Sequence, residues 1–177
     1  MKTRNIKGQI KEHFFINPTS KLRVRQIERK LNLPLPSVIR YTRELEKESI
    51  LQRVIIGKVV FYSANRSSKY FLLEKKLFNI KSLYLSELVD FLMKELSNPL
   101  IVVFGSYAKG EDIENSDIDL YIETPSKKKI ALKKFENVLK RKIQIFAYSS
   151  MQKITNKHLA NNVLNGFILN GFIEVFK

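Results

Sequence analysis

Apolar residues recur along this chain with two different periods, and the change of period marks its elements. Ile6, Ile10, Phe14 and Phe15 share one helical face, which predicts a helix over 5–16, broken by Asn17-Pro18-Thr19-Ser20. Val24, Ile27 and Leu31 predict a second helix over 24–31, followed by a tight turn at Asn32-Leu33-Pro34. A third helix starts with Ser37 as N-cap, or with Pro36 at an early helical position, and runs to about Glu48. Its Val38, Tyr41, Thr42 and Leu45 form one inward stripe, and Ser37, Arg40, Arg43 and Lys47 lie outside it. The period then falls to two. Leu51–Ile56 and Val59–Ser63 read as strands around Gly57-Lys58, a hairpin.

The polar stretch Asn65–Ser68 marks a boundary. Beyond it, Tyr70, Leu73 and Leu77 predict a linking helix over 69–79, and Ser82 caps the next helix, with Leu85, Leu88, Val89 and Leu92 inward. Leu100–Phe104 is an unbroken apolar run between Pro99 and Gly105, which reads as a buried strand, with Ser106–Lys109 as the first turn of a helix. A second apolar run opens at Asp117-Ile118-Asp119 and ends at Thr124-Pro125. Lys127-Lys128-Lys129 begins a helix carrying Ile130, Leu132, Phe135 and Leu139, and 142–148 is a strand. A last helix spans 156–165 with Gly166 as its C-cap signal, and Phe167–Leu169 and Phe172–Phe176 flank Asn170-Gly171 as a hairpin. The expected architecture is an α/β (α+β) chain in two domains, 1–66 and 83–177, joined by a linking helix over 67–82.

Charge sharpens this division. The net charge is +15, and residues 1–66 hold 15 Lys/Arg against 5 Asp/Glu, whereas 67–177 hold 17 against 12. That asymmetry points to a polyanion partner for the N-terminal third, against the plainer reading of a solvated Lys- and Asn-rich surface. The absence of cysteine excludes disulfides and thiolate metal sites and fits a reducing cytoplasm, the expected location. No apolar run approaches the roughly 18 residues of a membrane span, and the basic N-terminus lacks a cleavage-like site. His13 and His158 lie far apart without a ligand partner at useful spacing and read as ordinary surface or helix-face residues. No Ser-His-Asp arrangement or G-x-x-x-x-G-K-[ST] loop is present, which leaves hydrolase and P-loop readings without support.

The candidate chemistry lies where the strand ends in Gly105-Ser106 and the next opens in Asp-x-Asp. Gly105 lets the backbone approach a ligand, a helix start offers unpaired N–H groups to phosphate, and Ser106 adds a donor. Asp117 and Asp119 alternate along a strand and so share a face, about 6.6 Å apart along it. Two carboxylates on one face suit Mg²⁺ (or Mn²⁺), a hard cation that shares oxygen ligands with substrate phosphates. A phosphate cradle facing a metal site is machinery for nucleotidyl transfer.

These residues resemble a known family. Gly105-Ser106-x-Ala108-x-Gly110, followed by Ser116-Asp117-x-Asp119-Leu120, is similar to the signature of minimal nucleotidyltransferases of the DNA polymerase β superfamily, and the resemblance covers roughly 83–176. It implies a small mixed sheet flanked by helices. It also implies transfer of a nucleoside monophosphate from an NTP, ATP by expectation, with catalytic and metal-binding Asp117 and Asp119, and with Gly105, Ser106 and Lys109 binding nucleotide. Domains of this family also act on proteins or small molecules, including as antitoxins that modify a toxin. One position departs from the pattern. The third metal-binding carboxylate of the family falls on Gln144, an uncharged amide and a poor base. Glu123 faces the same side as Asp119 but lies about 13 Å along the strand, too far to replace it. Two readings follow: an enzyme with two carboxylates, or a nucleotide site without efficient turnover.

Three helices and a hairpin resemble a winged helix-turn-helix. That resemblance implies DNA binding through residues 1–66, with Ser37, Arg40 and Arg43 of the third helix reaching bases and Lys58 of the wing touching phosphate. The alternative to an enzyme is therefore a DNA-binding regulator whose transferase-like domain senses nucleotide. A winged helix that contacts protein instead is the plainer reading of this part.

Overall fold

The structure is a computed structural model that describes residues 5–126 and 128–174. The chain divides into two compact units between Phe78 and Asn79.

The first unit begins with three helices, α1 (Ile6–Ile16), α2 (Val24–Leu31) and α3 (Leu35–Lys47). Each boundary has a local cause. The Asn5 side-chain oxygen accepts the Gly8 N–H at 2.8 Å and caps α1. Asn32 ends α2 in the left-handed conformation, and Pro34 precedes α3, with Pro36 in its first turn. A hairpin follows, β1 (Leu51–Ile56) with β2 (Val59–Ala64), in which Ile56 stands opposite Val59 across Gly57 at φ +62°. Leu22 pairs with Tyr62 through two backbone hydrogen bonds of 2.9 and 2.8 Å and ties the segment before α2 to the hairpin. Ile10, Phe14, Ile27, Val38 and Leu45, all fully buried, form the core beneath the helices.

The helix expected over 69–79 does not end there. It continues as α4 (Lys69–Leu85), and Ser82 lies inside it rather than capping the next one. No glycine or proline interrupts 80–85, and the apolar spacing carries on through Leu83. The break falls at Ser86-Glu87. The Ser86 hydroxyl donates to the Leu83 carbonyl, Glu87 adopts φ +62°, and α5 (Leu88–Glu95) begins. Tyr70, Leu73 and Leu77 are exposed on α4. No described helix is long and apolar enough to cross a membrane.

The second unit is built on a four-stranded mixed sheet. Its strands are β3 (Leu100–Phe104), β4 (Ile118–Glu123), β5 (Ile143–Tyr148) and β6 (Phe167–Asn170), in the order β5-β4-β3-β6. β3 runs antiparallel to β4 and β6, and β4 runs parallel to β5. Between the strands lie α6 (Gly105–Lys109), α7 (Lys133–Leu139) and α8 (Lys157–Leu164). One face of the sheet, through Ile101, Val103, Leu120 and Ile122, packs with Leu88, Leu92, Phe135 and Leu139. The other, through Val102, Phe104 and Tyr121, packs with Ile154 and Val163.

Two expectations are corrected here. Lys128 and Lys129 do not start a helix. Thr124 and Ser126 hydroxyls accept the N–H groups of Ser126 and Lys128 in consecutive turns, α7 begins only at Lys133, and Lys127 lies outside the described residues. The hairpin around Asn170-Gly171 is also absent among the described residues. β6 pairs with β3 instead, 172–174 form no strand, and 175 and 176 lie outside the described residues. Gly166, which directly follows the C-cap Asn165 as the glycine signal predicts, also permits that pairing. A Cβ at 166 would stand 2.6 Å from Val102 Cγ1 and 2.7 Å from the Val103 carbonyl oxygen, so only glycine lets the chain enter the sheet edge here.

Candidate active site

The site forms where β3 ends and β4 begins. In the strand register Asp119 stands opposite Phe104 on β3 and opposite Gln144 on β5. The central strand thus holds its carboxylate between the Gly105 turn on one flank and the amide on the other. Gly105 adopts φ +73°, and a Cβ there would lie 2.6 Å from Asp119 Oδ2. The turn and the carboxylate can be this close only because the residue is glycine.

Asp119 is half-buried and Asp117, one residue before β4, is exposed. Burial first, and the neighbouring Asp117 charge second, push the Asp119 carboxyl above its ordinary range. Ser116 fixes the approach to both, since its Oγ accepts the Ile113 N–H and its own N–H donates to the Ile113 carbonyl, each at 3.0 Å. Ser106 is half-buried in α6 and Lys109 is exposed at its end. Glu123 is occupied elsewhere, accepting the Tyr121 hydroxyl at 2.9 Å.

Beneath the loop between α6 and β4 lies a buried polar network that sequence reasoning missed. Asn79 Nδ2 donates to the Tyr107 carbonyl at 2.9 Å and to Asp112 Oδ1 at 2.7 Å. Arg141 Nη2 meets the other oxygen of Asp112 at 3.3 Å, with the Asp112 side chain 1% exposed and that of Arg141 4% exposed. The Tyr107 hydroxyl is pushed up, by burial and then by the Asp112 charge. One signal was available. Arg141 is the single arginine after Arg66, in a stretch whose other cations are lysines, and a guanidinium is the cation suited to a buried carboxylate.

The donor set can be tested against a divalent cation. No group of three or more His, Cys, Asp or Glu side chains gathers among the described residues. Asp117 and Asp119 supply two carboxylates whose mutual repulsion a cation relieves, and Gln144 adds an amide oxygen opposite Asp119. These hard oxygen donors fit Mg²⁺, which keeps waters and shares substrate phosphates rather than demanding a full protein cage.

In the first unit, Arg40 is engaged within α3, its guanidinium 4.4 Å from the Tyr41 ring centroid and 3.8 Å from Glu44. Arg43 and Lys58 are exposed and Ser37 is half-buried. Lys47 adds a third cation to α3; Glu44 meets Arg40 and Lys7, Glu46 meets Arg53 and Glu48 meets Lys7, so Arg43 and Lys47 form no ion pair among the described residues. The segment from Lys21 to Lys30 is different, with five exposed cations against the single carboxylate Glu28.

Comparison with known proteins agrees with the geometry of the second unit. Residues 85–170 match the family model for a nucleotidyltransferase domain, which spans α5 and the whole four-stranded sheet as far as Asn170. No curated protein and no solved structure matches the chain.

Proposed function

We propose that the second unit transfers a nucleoside monophosphate from an NTP, ATP by preference, to a hydroxyl acceptor. The observation that carries this reading is the close approach of Gly105 to Asp119, a glycine turn held against a carboxylate whose ionisation is resisted. Gly105 and Ser106 hold the triphosphate, with Lys109 at the end of the same helix. Asp117 and Asp119 would hold Mg²⁺, which would neutralise the phosphates and stabilise the charge that develops on them. The acceptor oxygen bonds to the α-phosphorus, the bond from that phosphorus to the β-phosphate oxygen breaks, and pyrophosphate leaves with the electron pair. The acceptor proton passes to solvent, since Gln144 cannot take it.

Calorimetric titration of ATP, GTP, CTP and UTP, with and without Mg²⁺, tests the reading. Metal-dependent binding in the wild type and its loss in Asp117→Ala with Asp119→Ala is the expected result. Nucleotide binding that the double substitution leaves unchanged would sink it.

A second reading is favoured by Gln144 opposite Asp119 and by the three helices and hairpin of the first unit. In that reading the first unit is a winged helix that binds duplex DNA, and the second unit senses nucleotide without efficient turnover. Nucleotide bound but never consumed, together with salt-sensitive duplex binding, would select it.

A further inference from the structure

We infer that the acceptor carries a phosphate group of its own and docks it on Lys140 and Lys142, in a cleft that opens at Asp117. This rests on the transferase reading above.

The sheet order sets up the argument. β4 lies between β3 and β5, and Gly105 approaches Asp119 from the β3 side. On the opposite side the Lys142 carbonyl accepts the Ile118 N–H at 2.8 Å, which puts Lys142 beside the peptide that carries Asp117. Here a cleft of about 530 Å³ opens between the loop 114–117 and the segment 133–142, with Asp117 in its wall. That volume is within the range of small-molecule sites. In phosphoryl transfer the attacking and leaving oxygens stand roughly in line. With pyrophosphate leaving on the Gly105 side, the acceptor enters from the side of this cleft.

The wall carries the carboxylates Glu114, Asp117 and Glu136 beside the cations Lys133, Lys140, Arg141 and Lys142, and what each cation is committed to decides the chemistry. Glu136 is committed, its Oε1 accepting the Ile143 N–H at 3.1 Å and its Oε2 standing 3.8 Å from Lys133 Nζ. Arg141 is turned inward to Asp112. Lys140 and Lys142, on either side of it, are exposed and form no ion pair among the described residues. Lys140 also holds φ +56° as the C-cap of α7, a position where glycine or asparagine is less strained. Two such groups lining the same cleft as Asp117 suit a phosphate brought by the acceptor.

The test uses the full-length protein with saturating Mg²⁺ and a non-hydrolysable ATP analogue, so that the nucleotide side is filled. Two probes are titrated separately, ribose 5-phosphate and the dinucleotide pUpU, with ribose as the phosphate-free control. Lys140→Asn with Lys142→Gln replaces two exposed side chains and keeps a residue tolerant of the left-handed conformation at 140. The expected result is binding of a phosphate probe but not of ribose, weakened at least tenfold in the double variant, while the ATP titration changes less than twofold. Preference for pUpU identifies a polynucleotide end, and preference for the sugar phosphate identifies a small metabolite; either supports the inference. Equal probe binding in both proteins overturns it, as does an ATP-competent wild type that binds neither probe. ATP affinity falling as far as probe affinity overturns it too, by moving the lysines to the triphosphate. Loss of ATP binding in the wild type is a separate failure, that of the transferase reading itself, and removes the acceptor role with it.

Discussion

Asp119 is held in a state that the fold resists. Its carboxyl is raised by burial and by Asp117, so the native protein binds its proton more tightly than the unfolded chain does. Stability associated with this group is present at low pH and is lost as pH rises through the raised value. Asp119→Asn is therefore expected to melt above wild type at neutral pH, with the gap closing as pH falls into the ordinary carboxylate range. A melting series from acid to neutral pH checks this, and a gap independent of pH would contradict it. Gly105→Ala acts on the same contact. With φ at +73° and Oδ2 at 2.6 Å from the new Cβ, it should cost about 1–2 kcal/mol and displace the carboxylate, lowering Mg²⁺-dependent ATP affinity. Asp112→Ala leaves Arg141 buried without its carboxylate and should cost about 3–5 kcal/mol in denaturant unfolding. The signature residues were legible in sequence because their spacing is local. Asn79, Asp112 and Arg141 were not, since three polar residues spread over more than sixty positions meet only through the fold, and a buried aspartate in a polar loop looks solvated.

Strong apolar periodicity sets the bounds of several elements. α2 and β1 have the bounds that their apolar spacing predicts. At Ser82 and at Asn170-Gly171 a local signal gives way to a longer-range contact. Ser82 looked like a cap, yet Leu83 is fully buried and carries the helix onward. Asn170-Gly171 looked like a hairpin turn, yet the free edge of β3 captured the strand before it. Gly166 makes that capture testable. Gly166→Ala forces a methyl against Val102 and the Val103 carbonyl and should destabilise the second unit by about 1–3 kcal/mol. A variant as stable as wild type in urea would show that β6 does not need the close approach.

On the scale of the whole molecule, each unit has its own core and its own charge. The N-terminal excess of cations is densest on 21–30, where five exposed cations face one carboxylate. If the first unit binds duplex DNA, Arg40→Ala with Arg43→Ala should weaken binding modestly. Arg25→Ala with Arg29→Ala should also reduce the slope of log affinity against log salt by about 2, as measured by fluorescence anisotropy. A slope unchanged by the second pair would place the contacts elsewhere. The second unit has an asymmetry of another kind. β4 reaches its antiparallel partner β3 across a short connection, 105–117, but reaches its parallel partner β5 only after the crossover 124–142. β5 is an edge strand that pairs with β4 alone, whereas β3 is paired on both sides, and parallel pairing returns slightly less per residue. The two halves of the site thus differ in how readily they open. Fluctuations that release β5 would dissolve the wall holding Lys142 while leaving Gly105 against Asp119. A partly loosened molecule would still grip nucleotide after it had lost its hold on whatever receives it, and amide exchange in β5 faster than in β3 would be the trace of that order.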